Sequence, residues 1–333
     1  MPIRPFKLPE DLDHLYKLMA ESFQYPENPE WNADADEAEG LKTLIQTFRR
    51  IWPFFRWVRW MSPAMQDALL GYVWEEDGKP VGLVNISRRG TTDGWMIGNV
   101  AVLPAYRRRG IARQLTLAAL DLIREKGGTL VVLDVIAGNL PAYKLYESLG
   151  VVHYTSQLEL DLKSEVAPPR PPTPKGYVYE KIPLKEWRLP MEMAQRVTPE
   201  QVQVFDPILK GRYYFPPVLL FFSSVVNKIR GVKVEDFALR DAATNQVAAL
   251  GFTTAQTRAG DKHNISMTLE PKHADLAPFL LQYMLHKVKS HSAAHGVQTS
   301  LWEWRYFALD EHNKAGFEKR REGHRMGLRL QEH

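Results

Sequence analysis

The apolar positions change period several times along the chain. Ile3 to Phe6 reads as a short strand, followed by a turn at Leu8-Pro9-Glu10-Asp11. Leu12, Leu15, Leu18, Met19 and Phe23 then recur at helical spacing, which predicts an amphipathic helix. Gln24 to Ala35 reads as a polar loop, and Glu37 to Arg50 as a second helix that Pro53 breaks or kinks. Ala68 to Trp74 and Pro80 to Ser87 flank the polar turn Glu75-Glu76-Asp77-Gly78-Lys79, a hairpin signal continued by alternation at Val81, Leu83 and Asn85. Met96 to Leu103 is the next strand. Ile111, Leu115, Ala118, Ala119, Leu122 and Ile123 form one helical face, closed by Gly127-Gly128. Leu130 to Ile136 is a short buried strand. Pro141 suits the first turn of a further helix, whose Ala142, Leu145, Tyr146 and Leu149 share a face. Val151 to Leu162, alternating at Leu158, Leu160 and Leu162, is expected to be the last strand of this half.

The pattern then breaks. Val166 to Gly176 holds Pro168, Pro169, Pro171, Pro172 and Pro174, an extended, semi-rigid stretch. The expected domains are therefore 1–163 and 177–333, with 164–176 as linker. The second half repeats the first. Val81 and Val247 lie 166 positions apart, and Pro104 and Pro271, each closing a strand, lie 167 apart. Leu276, Phe279, Leu280, Tyr283, Met284 and Val288 repeat the helix after that strand. Val297 to Trp302 and Asn313-x-x-Gly316-Phe317 repeat the later elements. Agreement of independent pairs points to duplication.

Composition narrows the class. The 333 residues are 44% hydrophobic, enough for two cores. No apolar run is long enough to span a membrane, and Met1-Pro2-Ile3-Arg4 does not begin a signal peptide. Cysteine is absent, which rules out disulfides, thiolate metal sites and a cysteine nucleophile and fits a cytoplasmic location. The net charge is +4 and the pI about 9.0. Without a basic stripe, that balance does not favour a nucleic-acid partner.

The chemistry concentrates where the strand ending at Pro104 meets the helix starting at Ile111. The turn between them is Arg107-Arg108-Arg109-Gly110. A turn of this kind offers free backbone N–H groups at the positive end of a helix, an anion site, and the arginines add charge. It is neither a Walker loop nor the three-glycine dinucleotide fingerprint. The run Arg107-x-x-Gly110-x-Ala112 resembles the acyl-CoA signature [Q/R]-x-x-G-x-[G/A] of the GNAT (GCN5-related N-acetyltransferase) superfamily. The V-x-V-x-P strand end before it and Asn139-x-x-Ala142-x-x-Leu145-Tyr146-Glu147-x-x-Gly150 after it stand at that family's spacing. Val151 replaces the usual aromatic residue. The second copy, Pro271-Lys272-His273-Ala274-Asp275, has no such turn.

The resemblance implies a mixed α/β fold of two tandem GNAT-like domains, each a mostly antiparallel sheet flanked by helices, the second degenerate and without a normal CoA site. It implies acetyl-CoA, or another acyl-CoA, as co-substrate. The pantetheine arm would lie on Val100, Ala101 and Val102. The pyrophosphate would lie on the turn and helix start, Arg107, Arg108, Arg109, Gly110, Ile111, Ala112 and Arg113, with Asn139 and Ala142 nearby. Tyr146 holds the position of the usual general acid. Asn139 also reads as a helix cap. Tandem relatives such as mycothiol synthase keep activity in the second half, so the intact first half argues against that assignment.

Other readings rest on the residues alone. Asp134 interrupts an apolar strand and is a candidate base, as are Glu75, Glu76 and Asp93. The aromatic block that includes Trp52, Phe55 and Trp57 is either core or one wall of an acceptor pocket. His286, His291 and His295 have no carboxylate beside them and read as a solvated helix face rather than a metal site. The expected activity is acyl transfer to a primary amine of a small molecule or peptide, by direct attack in a ternary complex without a metal. The contrasting reading is a non-catalytic acyl-CoA-binding module. The chain is expected to be a monomer or homodimer, with no membrane partner.

Overall fold

A computed structural model of the chain describes residues 2–25, 28, 31–32, 45–46, 49–50, 52, 67, 69–90, 92–258 and 260–330. The expected helix at 37–50 lies largely outside the described residues, as do Phe55 and Trp57 of the aromatic block. The chain forms two compact units. One comprises Met1–Tyr154 with Gly323–His333, the other Thr155–Glu322.

The sheet of the first unit runs β1 (Ile3–Pro5), β2 (Leu70–Glu76), β3 (Lys79–Arg88), β4 (Gly94–Val102), β5 (Leu130–Ile136) and then residues 323–329 of β12 (Glu318–Arg329). Every pairing is antiparallel except β4 with β5. The β4–β5 connection is the helix α2 (Ile111–Glu125), as parallel neighbours require a crossover. The apolar face of α2, Ile111, Leu115, Ala119, Leu120 and Ile123, is buried with Val81, Val84 and Val131 of the sheet. Burying one such side chain contributes about 1.5–3 kcal/mol. Gly82 lets the helix approach, since a Cβ there would stand 3.2 Å from Ile111 and 3.3 Å from Leu115. The helix α3 (Leu140–Glu147) packs on the same face through Tyr146, whereas α1 (Leu12–Ser22) covers the other with Leu12, Leu15 and Leu18 against Val73, Leu83 and Ala101.

The second unit repeats this plan with β6 (Val152–Leu162, from residue 155), β11 (Val297–Trp302), β10 (His263–Leu269), β9 (Val247–Ala255), β8 (Lys233–Asp241) and β7 (Tyr177–Ile182). Again one pair, β10 with β11, is parallel. Its helices are α4 (Arg188–Val197), α5 (Glu200–Gln203), α6 (Pro217–Ile229), α7 (Ala277–His291) and α8 (Leu309–Lys314). The duplication is visible in the register itself. Gly82 faces Val102 and Val84 faces Val100; 167 residues on, Ala249 faces Leu269 and Gly251 faces Met267.

The boundary between the units differs from the expected one. The strand 152–162 does not complete the first sheet. Its residues 157–162 pair antiparallel with β11, and Leu158, Leu160 and Leu162 lie in the second unit's core. The place beside β5 is taken by residues 323–329, whose Met326, Leu328 and Leu330 pack in the first unit's core. Equivalent strands of the two halves have been exchanged. Alternation fixes which face of a strand is buried, but not which sheet it joins. The Pro-rich stretch carries no regular secondary structure over 163–174 and belongs to the second unit. The Pro168 and Pro169 carbonyls accept from His286 and from Gln282 of α7, and Lys289 donates to the Ser164 carbonyl. The three histidines are likewise not a solvated face. His286 bonds Pro168, His291 bonds the Gly231 carbonyl and His295 bonds Ser292 and the Arg258 carbonyl, so each half-buried ring fastens a different segment.

Candidate functional site

In the first unit β4 and β5 part company. Their parallel pairing covers only Gly94–Ile97 against Leu130–Leu133. Gly98 is an extra residue, since Ile86 faces Ile97 while Asn85 faces Asn99. Such a bulge bends the strand it interrupts. Beyond it, Asn99–Val102 stay paired to β3 but have no partner on the β5 side among the described residues. The result is a wedge between two strands, lined on one wall by an unpaired backbone edge.

The basic turn stands at the wedge's open end. After one 3-10 turn at Pro104–Tyr106, Arg108 and Gly110 adopt left-handed conformations with φ of +65° and +80°. Gly110 is the N-cap of α2, and a Cβ on it would meet nothing within 4 Å. Its requirement is therefore conformational, and the space above it is open. Among the described residues, no N–H from Arg108 to Arg113 donates to a main-chain carbonyl. These groups and the helix dipole point one way, a cradle for an anionic ligand.

The four arginines divide. Arg107 is pinned, donating to the Ser22 carbonyl at 2.7 Å and the Val102 carbonyl at 3.3 Å, so it ties the end of α1 to the end of β4. Arg109 reaches the Ala105 carbonyl and lies 3.5 Å from Glu76. Arg108 and Arg113 are exposed, with no hydrogen-bond or ion-pair partner among the described residues. They are the cations available to a phosphate. Val100 and Ala101 lie on the unpaired edge; the Val102 carbonyl is already taken. Ile111 is core, and the Ala112 carbonyl accepts from Thr116.

Tyr146 is buried on the inner face of α3, 7% exposed. Burial, aided by the nearby Tyr25, pushes its phenol well above the ordinary value, so it keeps its proton at every physiological pH. Asn139 caps α3, its Oδ1 accepting from the Ala142 N–H at 3.3 Å, while its Nδ2 faces the Tyr25 hydroxyl at 3.5 Å. Tyr25 also meets Trp31 edge-on at 5.2 Å and receives the Arg107 guanidinium on its ring at 5.8 Å. Trp31 lies over Gly138, where a Cβ would come within 2.9 Å of it. Tyr25 and Trp31 thus link the loop after α1 to the cap of α3. Sequence reasoning missed both because they sit among polar and proline residues; two aromatics in an otherwise polar loop were the signal.

Asn85 was also missed. It is 2% exposed, shares a strand face with Leu83 toward α1, and neither side-chain polar atom has a partner. An orphaned buried amide is costly, about 1–3 kcal/mol, and it stands beside the bulge. Asp134, by contrast, lies across from Arg325 and pairs with it at 3.1 Å, half-exposed. Glu75 pairs with Arg4, Glu76 lies near Arg109, and Thr129 donates to Asp93. The structure therefore brings together the turn, the unpaired edge, Asn139, Ala142 and Tyr146, and gives each candidate base a partner of its own. Trp52 is helical and half-buried.

The second unit offers the same wedge in altered form. β10 pairs with β11 only at His263 and Asn264, and β10 carries no bulge. A 3-10 run, Pro271–Leu276, leads straight into α7, whose N-cap Leu276 is right-handed. The Arg305 guanidinium crosses the gap and donates to the Met267 carbonyl at 2.9 Å, the position that Val100 holds in the first unit.

Residues 12–151 match the acetyltransferase (GNAT) family. The match ends one residue before β6 begins. Residues 12–151 are thus a GNAT-family domain. The chain is 39% identical over 66 residues to N-alpha-acetyltransferase 30 of Schizosaccharomyces pombe, covering 20% of this chain and 44% of that protein. It is 30% identical over 155 residues to a mycothiol acetyltransferase of Rhodococcus erythropolis, covering 44% of this chain and 45% of that protein. The matched stretches thus span less than half of these two relatives. A tandem GNAT protein from the clavulanic acid biosynthesis pathway shares the fold over 99% of both chains, with 16% identity and a TM-score of 0.60. The chain thus has the fold of a tandem of two GNAT-like domains. No described helix is long and apolar enough to cross a membrane.

Proposed function

We propose that the first unit transfers an acetyl group from acetyl-CoA to a primary amine of a small molecule or peptide, by direct attack within a ternary complex. The observation that supports this most is the conjunction of unengaged N–H groups at the turn, an unpaired β4 edge, and the buried, protonated Tyr146 on α3. Acetyl-CoA would supply an activated acyl group as a thioester. The N–H groups of Arg108 to Arg113, with the two unpaired guanidinium groups, would hold its pyrophosphate. The edge of Asn99–Ala101 would hydrogen-bond its amide-bearing arm. Asn139 holds α3 in place through its cap. Tyr146 holds the proton that a departing thiolate needs.

The acceptor would approach from the sheet face that carries α1, where Asn85 presents an unpartnered amide. A second reading, a non-catalytic acyl-CoA-binding module, is favoured by one observation: the carboxylates Asp134, Glu75, Glu76 and Asp93 each already have a partner. An amine that is already neutral needs no protein base before attack, and the proton it sheds as the amide forms would replace the one Tyr146 gives to the thiolate; that separates the readings. The test is calorimetric titration with acetyl-CoA beside the Gly110→Glu variant, followed by a screen of amines for free-thiol release. Binding lost in Gly110→Glu, with amine-dependent thiol release whose rate rises through the amine's own pKa, supports the transferase. Binding without release by any amine favours the module. No binding overturns both.

A further inference from the structure

A cavity of about 430 Å³ opens in the second unit, within the usual range of small-molecule sites. It lies between α6 and the sheet. Leu219, Leu220, Ser223 and Asn227 of α6 form its roof, and Val234, Asp236 and Phe252 of β8 and β9 form its floor. Trp187, Tyr213 and Phe215 close the sides. The helix above it is unusual: nine of the thirteen residues of Pro217–Ile229 are apolar, yet none of its residues is buried. Its cavity-facing Leu220 and Asn227 are half-buried and the rest of the helix is exposed.

The Arg188 guanidinium and the Lys210 ammonium lie on the Trp187 ring at 4.8 and 4.9 Å, and the carboxylates around the cavity differ in their partners. Arg212 is paired with Asp206 at 3.2 Å. Glu186 caps α4, accepting from the Arg188 and Leu189 N–H groups at 3.0 and 3.3 Å. Glu235, next along β8, is paired with Lys287 at 2.9 Å and accepts from Tyr179. Asp236 alone among these carboxylates has no hydrogen-bond or ion-pair partner among the described residues. Burial, with the adjacent Glu235, pushes its carboxyl up to about 6, which leaves it mostly ionised at neutral pH. A half-buried carboxylate facing a void lined by aromatic rings is costly unless a cation joins it.

We propose that this cavity is a binding site for a protonated amine carried on an apolar body, with the ammonium on Asp236 and the body among Trp187, Phe215 and Phe252. A carboxylate accepts hydrogen bonds, so an ammonium with N–H donors fits better than a quaternary one, and the rings add cation–π attraction. The unit lacks the glycine turn, and Arg305 crosses its wedge, so an amine held here is bound without being acylated at this site. The cavity is a holding or sensing site.

The experiment titrates the full chain at neutral pH with 2-phenylethylamine, its trimethylammonium analogue and the neutral 2-phenylethanol, on wild type and on Asp236→Asn. A diazirine-bearing 2-phenylethylamine then maps the site on the wild type by cross-linking and peptide mass spectrometry. The proposal expects amine binding that weakens about tenfold or more in Asp236→Asn, the scale of a lost charge-assisted hydrogen bond. It expects the quaternary and neutral probes to bind more weakly, and labels on peptides containing Trp187 or Phe252. Unchanged affinity in a folded Asp236→Asn, labels confined to residues 1–154, or no heat of binding at all overturns it. The labelling arm does not depend on the variant's folding.

Discussion

The two wedges, one in each unit, follow the same plan and differ in three local features. In the first, the bulge at Gly98 precedes an unpaired edge, two left-handed residues expose a row of N–H groups, and the space above Gly110 is open. In the second, β10 is regular, the turn has become a 3-10 run, and Arg305 lies on the Met267 carbonyl. Arg305 is 9% exposed, its Nε has no partner, and burial lowers its pKa to about 10. A buried guanidinium without a carboxylate is an expensive way to fill a gap. The comparison teaches that a GNAT scaffold can keep its register after its anion cradle is gone, because the sheet is held by pairing and the cradle by a few φ angles.

The sharpest way to break the comparison is to cut the chain. A fragment of residues 1–163 loses the strand beside β5 and leaves Leu158, Leu160 and Leu162 without their core. It should be insoluble or unfolded, as judged by soluble yield and circular dichroism. A folded fragment that binds acetyl-CoA would show that the exchanged strands are dispensable.

Next in size is the turn. Gly110→Glu should lose acetyl-CoA binding by about 100-fold or more, since a carboxylate would stand among the N–H groups of an anion site. Lys272→Glu, on the exposed side of the corresponding 3-10 run of the second unit, should leave that binding unchanged by calorimetry. Equal losses at both positions would mean that the second wedge also takes the cofactor.

Tyr146→Phe should lower kcat by about 10²-fold, the range of general-acid contributions, while the KM for acetyl-CoA stays put. A drop in binding instead would make Tyr146 a packing residue.

The smallest effect concerns Asp236. Its folded pKa, about 6, exceeds the ordinary 3.8. The native state therefore binds this proton more tightly than the unfolded chain, and the penalty is absent below about 4 and complete above about 6. Asp236→Asn should raise Tm at neutral pH and leave it unchanged in acid, by scanning calorimetry. A lower Tm at neutral pH would mean that the carboxylate is already compensated.

Much of this was legible in the chain. The helical spacing at Ile111–Ile123, the proline-closed strand, the glycine turn and the 167-residue repeat are local or periodic signals, and each element formed where its pattern pointed. Asn139 is both a cap and a neighbour of the site, as one side chain with a donor and an acceptor allows. Asp134 misled because a lone carboxylate in an apolar strand asks for a partner, and that partner, Arg325, stands 191 positions further along.

The sequence by itself determined the period of the elements around the Gly110 turn, the backbone freedom of that turn, and the repeat of the two halves, because these depend on residues a few positions apart or on a pattern repeated in register. Tertiary structure alone decided which sheet received each terminal strand, which arginines stayed available, that Tyr25 and Trp31 would lie over the cap of α3, and that Asp236 would face a void. Those outcomes depend on pairings between distant segments, where two equivalent strands present the same alternating face and only the packed cores choose between them.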